Sequence, residues 1–304
     1  MTKIKVGSIK KICLPSKHFV LLIISIIIII VIICIVVITN YRKYKDDQIV
    51  LKIQELDSEY KEYKRQYKYG KSIIPLKIYQ TWHTKDLPVD MAICVNLVKQ
   101  DNPEFEHFLF DDDDCLVFIK KHFSNEVVDA FNNLIPGAYK ADLFRLCILY
   151  IQGGIYMDIK LYCINRFKLI YLTQSEHLVD DNYCGNHMFG KFMSYSGIYN
   201  AFMICKANNP FLMDCINGIV YNVKNKIYGW SCLHPTGPLL LGYKYKQTKC
   251  NIPIDMQHIS NGVIVYKNIS VIESYPSYRK EQKATQKNLH YTKLWWDSNI
   301  YAEK

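Results

Sequence analysis

Ala138-Tyr-Lys-Ala-Asp142-Leu-Phe-Arg145-Leu-Cys-Ile-Leu-Tyr-Ile-Gln-Gly153-Gly154-Ile-Tyr156-Met-Asp158-Ile-Lys160 is the stretch whose reading decides the fold. The apolar run from Leu143 predicts a helix, and residues three apart on a helix share a face, so Asp142 and Arg145 are neighbours. Gly153-Gly154 ends that helix. Ile155-Tyr156-Met157 then reads as a short buried strand that closes on Asp158. A carboxylate at the carboxyl end of such a strand stands where open α/β sheets bind ligands. Taken alone, Asp142 and Arg145 would be an exposed ion pair worth about 0.2–0.5 kcal/mol. With the glycine break and Asp158 beside them, they read as part of a ligand site.

Upstream, Leu76 to Trp82 alternates like a strand, Met91 to Val98 reads as a helix, and Phe105 to Phe110 reads as a second strand. Strand, helix and strand at this spacing predict a parallel βαβ unit. Leu116 to Phe123 and Val127 to Leu134 predict two more helices, and Pro136-Gly137 opens the helix that carries Asp142. Asp111 to Asp114 contains its own Asp-x-Asp. It reads as a turn followed by a first helical turn, where acids favour the helix dipole. From Tyr162 onward the pattern is short strands and loops, punctuated at Asn208-Asn209-Pro210 and Thr236-Gly237-Pro238. Met188 to Met193 and the scattered histidines read as packing or surface.

Phe19 to Thr39 is an almost unbroken run of Ile, Val and Leu. Its length meets the roughly 20 residues that cross a bilayer, and it lacks the small-residue cleavage site of a signal peptide. Beyond it, Ile49, Ile53, Leu56, Tyr60, Tyr63 and Tyr67 fall on one helical seam. The predicted organisation is a cytosolic tail at 1–18, a transmembrane anchor at 19–39, a helical stalk at 40–72 and a folded domain at 73–304. Five lysines precede the anchor and outnumber the basic residues just after it, which favours the N-terminus in the cytosol and the domain in a lumen.

Those five lysines supply half of the formal net charge of +10. The remainder is interspersed with acids, and no basic stripe with interleaved aromatics marks a nucleic-acid partner. The 11 cysteines are spread singly, without zinc spacing. Asn268-Ile269-Ser270 is a glycosylation sequon. The bias toward Ile, Lys, Asn and Tyr suggests an AT-rich genome, such as that of a protist or a large DNA virus.

The order of motifs resembles glycosyltransferase family 32, the group of fungal Golgi mannosyltransferases, the lactosylceramide galactosyltransferase and bacterial capsule enzymes. Ile74-Pro75-Leu76-Lys77-Ile78-Tyr79-Gln80-Thr81-Trp82, Asn102-Pro103-Glu104-Phe105, Ala141-Asp142-Leu143-Phe144-Arg145 with Gly153 to Asp158, Thr236-Gly237-Pro238, and His290 with Trp295 carry the resemblance. It implies an α/β fold of the GT-A type, with a central mainly parallel sheet that binds a nucleotide sugar. The implied activity is transfer of a hexose, mannose or galactose, from a GDP- or UDP-hexose to a glycan or glycolipid acceptor, with retention of configuration. The implied catalytic residues are Asp142, Arg145 and Asp158, joined on the ground of its charge by Lys160, and the implied donor-binding residues are Trp82, Tyr156, Asn200, Gly237 and Trp295. A Golgi- or ER-type membrane is the implied location, or a host or virion membrane if the gene is viral.

Where the family has Asp-x-Asp, this chain has Asp158-Ile159-Lys160. The second Asp would ligate a divalent ion, Mn2+ or Mg2+, and an ammonium repels one. Three readings follow. Asp158 and His290 hold the ion, Lys160 itself neutralises the diphosphate, or catalysis is lost and a sugar-nucleotide or glycan-binding membrane protein remains.

Overall fold

The computed structural model describes residues 17–66, 72–181, 196–260, 262–286 and 289–303. The tail at 1–16, Tyr67, His187 and the Met188–Met193 run lie outside them. The described residues fall into two compact units, one ending at Lys52 and the other running from Ile53.

The first long helix, α1, spans Lys17–Gln66 and is the one described helix long and apolar enough to cross a membrane. Within the second unit its seam is used for packing. Leu56 is buried, Tyr60 meets Tyr171 edge-on at 6.1 Å, the Tyr171 hydroxyl reaches Asp57, and Lys267 pairs with Glu59 at 2.6 Å. Part of the predicted stalk thus packs its helical seam on the chain's own folded unit.

The predicted βαβ unit is present as β1 (Lys77–Thr81), α2 (Val89–Asp101) and β2 (Glu106–Phe110), with β1 and β2 parallel and Thr81 opposite Phe110. Two helices follow, α3 (Asp112–His122) and α4 (Asn125–Asn133). The Asp111–Asp114 run is a capping box: Asp111 accepts from the Asp114 amide at 2.9 Å, and Asp114 accepts from the Asp111 amide at 3.2 Å.

Helix α5 (Gly137–Gln152) buries Leu143, Phe144, Leu146, Cys147, Ile148 and Leu149. It stops at Gly153, where φ is +61°, and Gly154 follows at +115°. A Cβ at Gly153 would lie 2.7 Å from the Ala207 amide nitrogen, and one at Gly154 2.7 Å from the Lys77 carbonyl oxygen. Only glycine fits both the backbone angle and the space. The chain thus drops directly into β3 (Gly154–Met157), every residue of which is buried, and emerges at Asp158.

With β4 (Leu161–Cys163), β5 (Leu178–Asp181), β6 (Gly197–Ile198) and β7 (Phe202–Cys205), the first sheet takes the order β2-β1-β3-β7. Strands β2, β1 and β3 are parallel, and β7 is antiparallel to β3. Helices α6 (Pro210–Lys224) and α7 (Pro238–Gln247) follow. A second sheet, with β8 (Ile254–Ser260), β9 (Val263–Tyr266) and β10 (Ile269–Ser274), has the order β4-β10-β9-β8-β5-β6 and is antiparallel except between β5 and β8. The sequon lies at its β9–β10 hairpin, where Lys267 and Asn268 both have positive φ. Helices α8 (Tyr278–Thr285) and α9 (Tyr291–Trp296) end the order, and Tyr301 bridges back to Leu134.

Candidate active site

Asp158 follows the central strand β3, and α5 brings Asp142 and Arg145 up beside it. Arg145 is a hub: one terminal nitrogen lies 3.3 Å from Asp142 Oδ1 and 3.3 Å from Asp158 Oδ1. The other donates to the Asn200 carbonyl at 2.6 Å, Nε donates to the Ala141 carbonyl, and the guanidinium sits 4.5 Å from the Tyr156 ring centroid. Asp142 also accepts from the Asn200 side-chain amide at 2.9 Å and from the Thr236 hydroxyl at 2.7 Å. The fork of Arg145 is therefore spent on protein carboxylates and carbonyls.

Lys160 closes the network. Its ammonium lies 2.8 Å from Asp158 Oδ2 and 5.8 Å from the ring centroids of both Tyr199 and Tyr278. Burial pushes the Asp142 carboxyl up, against the pull of Arg145 and the hydrogen bond from Thr236. Burial acts the same way on Asp158, but Lys160 and Arg145 outweigh it and hold that carboxyl below the usual carboxylate range. Burial by itself lowers the Lys160 ammonium, and the facing Asp158 outweighs it and holds the group well above the ordinary lysine value. Two carboxylates and two cations make a locally neutral cluster.

Asp158 and Arg145 line two neighbouring cavities. The smaller, about 190 Å³, also takes in Trp82, Tyr156, His290 and Tyr291. Trp82 leaves β1 there with a buried indole N–H that finds no hydrogen-bond partner among the described residues. The larger, about 720 Å³, adds Asp142, Lys160, Asn200 and Gly237, and beyond them Asp181, Tyr199 and His258. Gly237 caps α7, where a Cβ would come within 3.5 Å of Asp142 Oδ2. Trp295 is not brought to either cavity. Its indole donates to the Tyr228 carbonyl at 2.8 Å and its ring packs on the core, so its position is fixed by packing.

His290 does share the smaller cavity with Asp158. Its Nδ1 accepts from the Thr292 amide, and burial, then Arg279 and Lys283, lower its imidazole below the ordinary histidine value. Asp158 offers a divalent ion no oxygen without a cation on it, since Arg145 flanks one and Lys160 the other. Among the described residues no group of three His, Cys, Asp or Glu side chains could hold a metal. This donor set does not fit a divalent ion.

Asp181, Tyr199 and His258 escaped the sequence reading. Asp181 and His258 are Cα partners across the parallel β5–β8 pair, so a long sequence separation becomes adjacency. No local spacing signals it.

A polar, charged wall at the carboxyl end of a parallel strand, between two cavities on a mixed α/β scaffold, fits the GT-A class of nucleotide-sugar fold. Residues 88–178 match the family model described as a glycosyltransferase sugar-binding region containing a DXD motif. The chain is 26% identical over 182 residues, 58% of its own length and 44% of the relative's, to mannosyl phosphorylinositol ceramide synthase CSH1 of Saccharomyces cerevisiae. It is 25% identical over 199 residues, 62% of its length and 52% of the relative's, to inositol phosphoceramide mannosyltransferase 2 of Schizosaccharomyces pombe. The chain thus spans about half the length of the curated relatives it matches. Among solved structures it is similar to the PaToxG glycosyltransferase, with 13% identity, 66% of this chain and 80% of that one covered, and a TM-score of 0.43.

Proposed function

We propose that this chain is a membrane-anchored glycosyltransferase that moves a hexose from a nucleoside-diphosphate sugar to a hydroxyl of a glycolipid or glycan, with retention of configuration. The observation that carries the reading is the Asp142–Arg145–Asp158–Lys160 cluster, buried at Asp142 and Arg145 and half-buried at Asp158 and Lys160, whose Arg145 and Asp158 line both cavities. Mannose is the favoured sugar and a glycolipid the favoured acceptor, because the relatives are named for mannosyl transfer to inositol phosphoceramide. Residues 19–39 act as the anchor, 40–72 as the stalk and 73–304 as the catalytic domain, with 1–18 in the cytosol and the domain in a lumen.

In this reading Trp82 stacks on the base and its unpaired indole N–H meets a donor oxygen. Asp142 and Asp158 accept hydrogen bonds from sugar and ribose hydroxyls. Asn200, Thr236 and Tyr156 hold Asp142 and Arg145 in place. As the bond from the anomeric carbon to the diphosphate breaks, its electron pair stays on the leaving oxygen, and fixed positive charge must meet it. Lys160 and Arg145 supply that charge. The acceptor oxygen bonds to the anomeric carbon, and its proton passes to a neighbouring base or water and balances the charge of the departing diphosphate.

The test is thermal stabilisation of the purified chain by GDP-mannose and UDP-galactose in excess chelator. A ligand at 100 times its dissociation constant adds about 2.7 kcal/mol. An unmoved melting curve with every GDP- and UDP-hexose, with or without manganese, would remove the proposal.

A further inference from the structure

We infer that Asp181 and His258 form the acceptor-hydroxyl site of the larger cavity, an inference that rests on the transferase reading above. His258 Nδ1 lies 2.9 Å from Asp181 Oδ1, and both residues are buried. A carboxylate facing Nδ1 keeps the proton there and leaves the Nε2 lone pair as a hydrogen-bond acceptor. That nitrogen has no hydrogen-bond partner among the described residues, and the ring lines the cavity.

The same molecule supplies the contrast. His177 is also buried and also carboxylate-bound, to Asp255 at 2.8 Å, but its Nε2 is taken by the Ser175 hydroxyl at 2.9 Å, and it lines neither cavity. His177 is a structural histidine with both nitrogens used. His258 keeps one nitrogen for a ligand.

Its position also fits an acceptor. The imidazole stacks on Tyr199 at 3.8 Å and 10°, and the Lys160 ammonium lies near that same ring. Lys160 in turn touches Asp158. His258 is therefore one aromatic ring away from the cluster that holds the donor. Ser260, on the same strand, and Ser274, on β10, line the same cavity with further hydroxyls. A lone-pair acceptor with hydroxyls around it suits a polyol ring, the chemistry of a sugar or an inositol headgroup. His258 would accept the hydrogen bond of the attacking hydroxyl and aim its oxygen at the anomeric carbon, while Asp181 positions His258.

The experiment uses the full chain with GDP-mannose. Release of GDP to water and transfer to inositol phosphoceramide are measured in the same sample, so their ratio does not depend on the folded fraction. Losing one hydrogen bond to the acceptor should lower the transfer-to-hydrolysis ratio about ten-fold or more in His258→Phe. Asp181→Asn should lower it by a smaller factor, and His258→Gln, whose amide oxygen can accept in place of Nε2, should recover part of it. His177→Asn, away from both cavities, should leave the ratio at the wild-type value. A ratio within two-fold of wild type in His258→Phe, or an equal fall in both rates, would overturn the acceptor assignment. Wild-type protein that neither binds nor consumes any GDP- or UDP-hexose would instead overturn the transferase reading.

Discussion

The four-stranded and six-stranded sheets face the same site but are built by different rules. The first is made of local units: β1, α2 and β2 in succession, then α5 running through Gly153-Gly154 into β3. Its contribution is the charged cluster, whose members Asp142, Arg145, Asp158 and Lys160 sit within one short segment. The second sheet is made of distant pairings. It brings β5 to β8 and β4 to β10, and contributes Asp181 and His258. Charge is gathered by the local unit, and in the proposal above acceptor recognition falls to the sheet of distant pairings.

If the first sheet's cluster is an interlocked ion network, breaking its hub should have the largest effect. Arg145 is 4% exposed and faces two carboxylates. Arg145→Ala leaves the buried Asp142 carboxylate without a cation, while Asp158 keeps Lys160, and should cost about 3–5 kcal/mol of stability. The variant should melt well below wild type in a denaturant titration. A wild-type midpoint would show that the cluster is solvated and loosely coupled. An exposed Asp142–Arg145 ion pair, the reading of those two residues taken alone, would predict little loss. Burial is what reverses that expectation.

The next effect sharpens the division of labour within the cluster. Lys160→Met keeps the stem and removes the charge, while Asp158 stays paired with Arg145. Folding should survive, and transfer should fall by about 10²–10³, the scale of removing one group that meets developing charge. The wild-type rate should persist in excess chelator, and Lys160→Asp should make the residual rate depend on added manganese. Chelator that stops the wild-type enzyme, with manganese alone restoring it, would return the positive charge to an ion.

The smallest effect is on stability, away from the chemistry. His107, on β2, bonds to Gln80 at 2.7 Å, and burial, then Lys99, lower its imidazole to about 4. The folded state prefers it neutral, while the unfolded chain takes a proton near the ordinary value of about 6.5. Its contribution to stability is thus full above pH 6.5 and is lost as pH falls toward 4. His107→Gln should flatten the fall in melting temperature across that window. An unchanged slope would assign the acid loss to other groups.

The two sheets also explain what was legible beforehand. Helix α5, the glycine break and β3 could be read because each signal lies within a few residues of its effect. The capping box at Asp111 could be read for the same reason. Asp181 and His258 could not, because only the β5–β8 register makes them neighbours. Trp295 was carried by its place in a motif, but its indole is used to tie Tyr228 to α9. The seam at Leu56 and Tyr60 was read correctly as apolar and helical, while its partner, the segment around Tyr171, lay beyond any local pattern.

The most direct test of the central claim is calorimetric titration of GDP-mannose into the full chain in excess chelator, for wild type and for Asp158→Asn. The account predicts saturable one-site binding by wild type, weakened about ten-fold or more when the carboxylate that anchors Lys160 and Arg145 is lost. Equal affinity in the two proteins, or no heat of binding with any GDP- or UDP-hexose, would contradict it.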